Sequence, residues 1–260
     1  MPPTDDCPTD AQADALLDDC LARCTFPDSA HLLCAVSGGA DSAALLLLAH
    51  RHAAHTGAEV AVVHVDHGMR PGSAADAGRL RRLTDRLDVA LRVERLDVGP
   101  GPNAQERARV ARHAAVGPDA LLGHTADDRA ETVLLQLIRG GALDAVASMR
   151  AARRPLLALR RADTEAVCAA AGYEPLDDPA NADPRFWRTR VRHEALPLLA
   201  DISGRDVVPL LARAAALAAD EADLLDELAA DVDPTDVAAL RAAPVPLARR
   251  ALRRWLRAPR

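Results

Sequence analysis

Between Leu32 and His50 the chain reads LLCAVSGGADSAALLLLAH, and few segments limit a fold as tightly. A short apolar run stops at Ser37-Gly38-Gly39, and Asp41-Ser42 opens a second, longer apolar run. The first run, Leu32–Val36, has the length of a buried strand. The second, Ser42–His55, is apolar on most sides, as a helix pressed onto a sheet must be. A strand that turns at once into a helix belongs to a parallel sheet, because parallel neighbours need helical crossovers.

The same alternation continues. Glu59–Val65 is β-branched and predicts a strand, and Ser73–Asp88 has helical spacing with arginines outward. Val89–Val98 alternates as a strand. Asn103–Val116 predicts a helix with Asn103 as its N-cap. Ala120–Gly123 predicts a short strand and Ala126–Ile138 a helix. Arg154–Leu159 is read as one more short strand or an extended segment, Asp163–Ala171 as a helix ended by Gly172, and Phe186–Leu199 as another. The expected fold is α/β, a doubly wound and mostly parallel sheet with helices on both faces. Residues 1–28 read as an acidic lead-in with one short helix, 29–200 as the main domain and 201–260 as a small helical domain.

Composition excludes several chemistries. The chain has no lysine, so all 32 basic residues are arginine. A Walker A phosphate loop, a Schiff base and a self-adenylating ligase lysine are thereby ruled out. The five cysteines (Cys7, Cys20, Cys24, Cys34, Cys168) form no CxxC, which argues against a zinc ribbon, an iron–sulfur site or a disulfide framework. Cys20 and Cys24 share a helical face and read as small buried residues. No apolar run approaches the roughly 20 residues of a membrane span, and no basic segment precedes an apolar one at the start. A cytoplasmic protein with no membrane partner is expected. The net charge of −6 hides an uneven distribution: residues 1–20 hold six acids and 219–236 hold eight, without an arginine in either stretch. The arginines gather at Arg150–Arg161, Arg185–Arg192 and Arg249–Arg260, three faces that suit a polyanion.

Ser37, Gly38, Gly39, Ala40, Asp41 and Ser42 lie at the C-terminal end of a strand, where doubly wound sheets bind ligands. Two glycines allow a tight turn and close approach of backbone amides. The helix behind them offers free N–H groups and the positive end of its dipole. Together these make an anion site. Asp41 fits an anion pocket only if a cation is also present, and a phosphate with Mg²⁺ satisfies both. A plain strand–turn–helix with Asp or Ser as cap is the competing reading. Further along, His124 sits on a strand end, Asp127 and Asp128 enter a helix, and Glu131 lies one turn past Asp128. That set suits a second cation or a cationic substrate, although acids also stabilise helix N-termini.

The six residues SGGADS resemble the pyrophosphate loop SGGxDS of the N-type ATP pyrophosphatases, which split ATP between the α and β phosphates and adenylate a substrate. Three further segments resemble one family within that superfamily, the tRNA(Ile)-lysidine synthetases. They are HVDHGMRPGSAADA (His64–Ala77), GHTADDRAETVLLQLIRGG (Gly123–Gly141) and DDPANADPRFWRTRVRHEALPLL (Asp177–Leu199). A fourth, Glu106 to His113, is similar to the family's ExARxxRY. The resemblance implies an adenine nucleotide alpha hydrolase-like fold, and a catalytic ATP pyrophosphatase domain over 29–200. It also implies ATP and Mg²⁺ as cofactors, with free L-lysine and a tRNA(Ile) carrying a CAU anticodon as partners.

In that reading the loop Ser37–Ser42 and His64 bind ATP, and Asp41 and Asp128 hold the metal. Asp41, Arg109, Arg112, His124, Asp128 and Glu131 form the catalytic set, and Arg188, Arg190 and Arg192 meet tRNA. The alternatives stay open at this point. His64, Asp66 and His67 also read as a phosphoesterase metal cluster, Arg109 and Arg112 as a solvated face, and Trp187 as core. A tRNA thiolase of the same superfamily and a catalytically silent nucleotide-binding RNA adaptor are the competing functions. The chain departs from the family pattern at Arg129, His113 and Thr189, which bears on substrate positioning. The resemblance implies more chain beyond the helix Arg249–Leu256, so ending at Arg260 is either a naturally short form or an incomplete sequence.

Overall fold

A computed structural model describes residues 10–66, 73–96, 115–176 and 183–257, and the side chains of 73–76 are not among those described. The chain forms two compact units: residues 1–129 with 151–189, and residues 130–150 with 190–260.

The first unit opens with helix α1 (Asp10–Ala22). Strand β1 (His31–Ala35), helix α2 (Ala40–Thr56), strand β2 (Glu59–Asp66), helix α3 (Ser73–Arg86) and strands β3 (Ala90–Arg95) and β4 (Leu121–Leu122) follow. The strands form one parallel sheet in the order β3-β2-β1-β4. Parallel α/β architecture is therefore as the alternating pattern predicts. The order matters for function. From β1 the chain winds outward to β2 and β3, then returns to the other side of β1 as β4. The direction of winding reverses between β1 and β4, and such a switch point leaves a crevice at the strand C-termini.

Alternation along β1 explains why both sheet faces are covered. Leu32 and Cys34 point into one apolar cluster with Leu45, Leu46, Leu48, Leu80, Leu156 and Val167. Leu33 and Ala35 point the other way, into a smaller cluster around Val63, Val116 and Ala120. Successive strand residues face opposite sides, so a strand buried on both is apolar throughout. Leu45, Leu46 and Leu48 have no solvent exposure. Each such side chain contributes about 1.5–3 kcal/mol of burial, which presses α2 onto the sheet.

Helix α4 (Ala126–Ile138) has the bounds its periodicity predicts. The short α5 (Leu143–Val146) follows, then α6 (Arg161–Ala170), α7 (Trp187–Arg190), a π-turn over Val191–Ala195 and α8 (Leu196–Ser203). The wide turn comes just before Pro197, whose missing N–H and ring disfavour a regular ladder. The strand or extended segment expected at Arg154–Leu159 is instead a 3₁₀ turn at Ala151–Arg153 followed by tight turns. Pro155 cannot donate to a ladder. Leu156 and Leu159 reach the core from the turns, fully buried.

The second unit is helical among its described residues: the end of α4, α5, α8, α9 (Val208–Ala230), α10 (Val237–Ala242) and α11 (Val245–Arg257). Small residues let α9 approach α5 closely, with Ala218 and Ala222 against Ala147. Buried Arg250 on α11 pairs with Asp226 on α9 and with Asp144 on α5, and Arg253 also meets Asp144. The C-terminal arginine cluster thus neutralises acids of its own unit in part, which the charge pattern alone did not reveal.

Candidate active site

The turn from β1 into α2 lies at the switch point. Val36 N–H donates to the Val63 carbonyl at 3.0 Å, so pairing with β2 extends one residue past the strand. Ser42 then organises the loop. Its hydroxyl oxygen accepts from the amides of Ser37 (3.1 Å) and Gly38 (3.2 Å), and its proton goes to the Gly39 carbonyl at 2.9 Å. Gly39 is the N-cap of α2, and no side-chain hydrogen bond caps the helix there. The first-turn amides and the dipole of a 17-residue helix therefore face the crevice.

Glycine is required at two places. Gly38 has φ +97°, and a Cβ there would collide with the Leu176 side chain. Its carbonyl accepts from the Leu176 amide (3.0 Å) and from the Tyr173 hydroxyl (2.9 Å), so the 173–176 segment pins the loop from outside. Gly123, just after β4, meets the first turn of α2. A Cβ would lie 2.5 Å from the Asp41 carbonyl oxygen and 3.0 Å from Ser42 Cα. Both contacts are backbone, so only glycine lets the end of β4 close on the first turn of α2.

His64 is buried beneath the loop. Its Nδ1 lies 2.7 Å from the Val36 carbonyl, which can only accept, so Nδ1 carries the proton. Its side chain supports the turn from below. Asp66 ends β2, and His67 lies outside the described residues.

The carboxylates are held by a network that the local sequence does not predict. The Thr164 hydroxyl donates to Asp41 Oδ1 at 2.5 Å, and Arg161 Nε stands 3.6 Å from Asp41 Oδ2. Asp128 Oδ2 accepts from the Thr125 amide at 2.9 Å, as an acid in a first helical turn does. Its Oδ1 faces two guanidinium groups, Arg188 at 3.0 Å and Arg161 at 3.4 Å. Asp127 is clasped by Arg160 through both oxygens (3.0 and 3.1 Å) and accepts from the Arg161 amide at 2.8 Å. Burial alone would raise the Asp127 carboxyl. The Arg160 fork, the Arg161 amide and the two positive charges together hold it below the usual range.

His124 accepts at Nδ1 from Arg154 Nε, 3.2 Å away, so the neutral ring carries its proton on Nε2. Burial, and then the neighbouring Arg153, pull the Arg154 guanidinium downward. Arg129 is pulled down likewise by burial and by Arg154. Arg160, Arg161 and Arg154 were legible only as parts of a basic cluster. The acids and the imidazole that they hold are 30 to 120 positions away, and no local signal marks such pairing.

In the second unit, Glu131 has no solvent exposure and is gripped by Arg192 at 2.7 and 3.2 Å. Arg190 pairs on the surface with Glu194, one turn on. Of the three arginines expected at tRNA, each thus holds a carboxylate here: Arg188 with Asp128, Arg190 with Glu194 and Arg192 with Glu131. Trp187, beside them, is 57% exposed and is not core. Arg109 and Arg112 lie outside the described residues.

Comparison with known proteins bears on this geometry. Residues 9–199 match the PP-loop domain family. The chain is 43% identical over 242 residues to the tRNA(Ile)-lysidine synthase of Nocardia farcinica, covering 85% of this chain and 74% of that one. The chain belongs to the tRNA(Ile)-lysidine synthase family. A second member, from Mycolicibacterium paratuberculosis, is 43% identical over 239 residues, covering 85% of this chain and 73% of the relative. Among solved structures, the U34-tRNA thiolase NcsA from Methanococcus maripaludis, with its [4Fe-4S] cluster, has a TM-score of 0.64. It covers 81% of this chain and 80% of its own at 13% identity, a likeness of fold alone. The expected family and fold class are thereby met. No helix of the described residues is long and apolar enough to cross a membrane.

Proposed function

We propose that this chain is a cytoplasmic C–N ligase that joins free L-lysine to C2 of the wobble cytidine of a tRNA(Ile) with a CAU anticodon, at the expense of ATP. One observation carries the reading at this site. At the switch point, an uncapped helix N-terminus lies beside two carboxylates, Asp41 and Asp128, that share one cation, Arg161. A polyphosphate fits the first feature and a divalent ion the second.

In this reading the amides at the start of α2 receive the phosphates. The helix dipole and arginines offset the charge that builds on the α-phosphate. The cytidine, swung out of its stack, attacks the α-phosphorus through its C2 oxygen, and pyrophosphate leaves. The lysine ε-amine, after losing a proton, attacks C2, and AMP departs with that oxygen. Asp41 and Asp128 supply hard oxygen donors suited to Mg²⁺, which takes one or two carboxylates together with substrate phosphates. Bound there, the ion would neutralise phosphate charge. Residues 29–200 act as the catalytic domain, with Arg109 and Arg112 as candidate triphosphate ligands and 201–260 as a helical appendage.

The cysteines disfavour the thiolase alternative. Burial pushes the Cys34 thiol up to about 12. Burial, reinforced by Cys20 at Cys24 and by Asp41 at Cys168, does the same at those two thiols, while Cys7 lies outside the described residues. Such thiols are poor nucleophiles. ATP–pyrophosphate exchange tests the proposal: it should require a tRNA with the CAU anticodon and disappear in Asp41→Asn. Exchange without RNA would contradict it, and ATP binding without exchange under any condition would favour the silent adaptor.

A further inference from the structure

The peptide between Gly38 and Gly39 is a unit of the phosphate loop that can turn over at little cost. Rotating a peptide plane by half a turn changes ψ of the residue before it and φ of the residue after it. Here both residues are glycines. Gly39 now has φ −71°, and glycine readily accepts the positive φ that such a rotation would give it. The consequence for an anion is large. In a trans peptide, as this one is, the N–H and the C=O point in opposite directions. One orientation offers a phosphate a donor, and the other offers it a carbonyl oxygen.

That donor matters because its neighbours are committed. The amides of Ser37 and Gly38 both go to the Ser42 hydroxyl, at 3.1 and 3.2 Å. The next amide along the loop is that of Gly39. Its direction is set through the carbonyl of the same peptide. Gly38 O accepts from the Leu176 amide at 3.0 Å and from the Tyr173 hydroxyl at 2.9 Å. Both donors lie outside the loop, so the Gly39 N–H points the other way. Tyr173 is the single tyrosine of the chain, it is 8% exposed, and its ring packs in the main core cluster. The hydroxyl is therefore carried on a rigid support. A buried phenol needs an acceptor, and many carbonyls would serve that need. The one it meets is the carbonyl whose orientation decides what a phosphate would encounter.

We propose that Tyr173 is a positioning residue for the nucleotide: its hydroxyl, with the Leu176 amide, locks the Gly38–Gly39 peptide so that the Gly39 N–H is turned to the phosphates of ATP. This rests on the phosphate role proposed for the loop. The lock acts before ATP arrives. A peptide free to turn over holds its binding-competent orientation only part of the time, and apparent affinity falls by that fraction.

Isothermal titration calorimetry of the full chain with ATP and Mg²⁺, without tRNA or lysine, tests this apart from the ligase chemistry. Tyr173→Phe keeps the ring and its packing and removes one hydrogen bond. The Kd for ATP should rise about three- to tenfold, as one hydrogen bond of ordinary net strength allows, with the number of sites per chain unchanged. Placing 4-aminophenylalanine at position 173 restores a donor at the same point and should return Kd to near the wild-type value. A hydroxyl that served only to support the fold would act differently: Tyr173→Phe would lose binding sites through unfolded chains and keep its Kd. That result, or a weakened Kd that the restored donor does not repair, overturns the proposal. If wild type binds no ATP, the phosphate role of the loop falls and this proposal with it. If wild type binds ATP and Tyr173→Phe binds it equally well, only the role of Tyr173 falls.

Discussion

Replacing Gly123 with alanine tests whether the closure of β4 on the phosphate loop is what shapes the site. The added Cβ would sit 2.5 Å from the Asp41 carbonyl oxygen, 2.8 Å from its carbon and 3.0 Å from Ser42 Cα. Carbon atoms rest at about 3.5–4.0 Å from their neighbours, so the two backbones must part by roughly 1 Å. Overpacking of this kind costs about 1–3 kcal/mol. At about 2–4 °C per kcal/mol for a chain near this size, the melting temperature falls measurably. The larger effect is on chemistry. The displaced atoms belong to the first turn of α2, the proposed phosphate site, and a misplacement of ~1 Å near reacting groups costs about 10²-fold in rate. Denaturant unfolding and ATP–pyrophosphate exchange measure the two effects. Gly78→Ala is the control: it lies within α3, a Cβ there meets nothing within 4 Å, and alanine should stabilise by about 0.5–1 kcal/mol. If Gly123→Ala matches wild type in both stability and exchange, the close approach does not shape the site.

Arg192→Met should destabilise by about 3–5 kcal/mol in urea unfolding, because it takes a guanidinium from the fully buried Glu131. Arg190→Met breaks only an exposed pair and should change stability by less than about 0.5 kcal/mol, and equal losses would refute the distinction. Asp127 is held below its unfolded pKa, so it contributes stability above that unfolded value, about 3.9, and loses it as pH falls through the lower folded value. Unfolding of wild type and Asp127→Asn between about pH 2 and 6 should therefore show the gap closing toward low pH, and a gap that does not change would contradict this. With thiols pushed up to about 12, Cys24, Cys34 and Cys168 should resist alkylation near pH 8 in the native protein and react once unfolded. Peptide mass mapping reads this, and rapid native labelling of Cys34 would sink it.

The loop and its sheet were legible in the sequence because their causes are local. Ser37-Gly38-Gly39 between two apolar runs admits little but strand, turn and helix, and Asp127 and Asp128 mark the start of α4. The segment 154–159 misled because Leu156 and Leu159 have strand-like hydrophobicity, whereas Pro155 and the preceding turn prevent pairing. The counter-charges of the site were illegible for another reason. Arg160 and Arg161 read as part of a face suited to a polyanion, since Asp41, Asp127 and Asp128 approach them only through the fold. Similarly, Glu131 and Arg192 show no helical i,i+4 relation, and their pairing arises from α4 packing within the second unit.

Whether the nucleotide chemistry ends on lysine decides the function of this chain. Labelled lysine, ATP and an unmodified tRNA bearing the CAU anticodon should, with the purified chain, give lysine covalently bound to the tRNA. AMP should be released in equal amount, and both products should be absent in Asp128→Ala. ATP cleavage to AMP without lysine incorporation, or transfer of sulfur to the RNA without lysine, would contradict it.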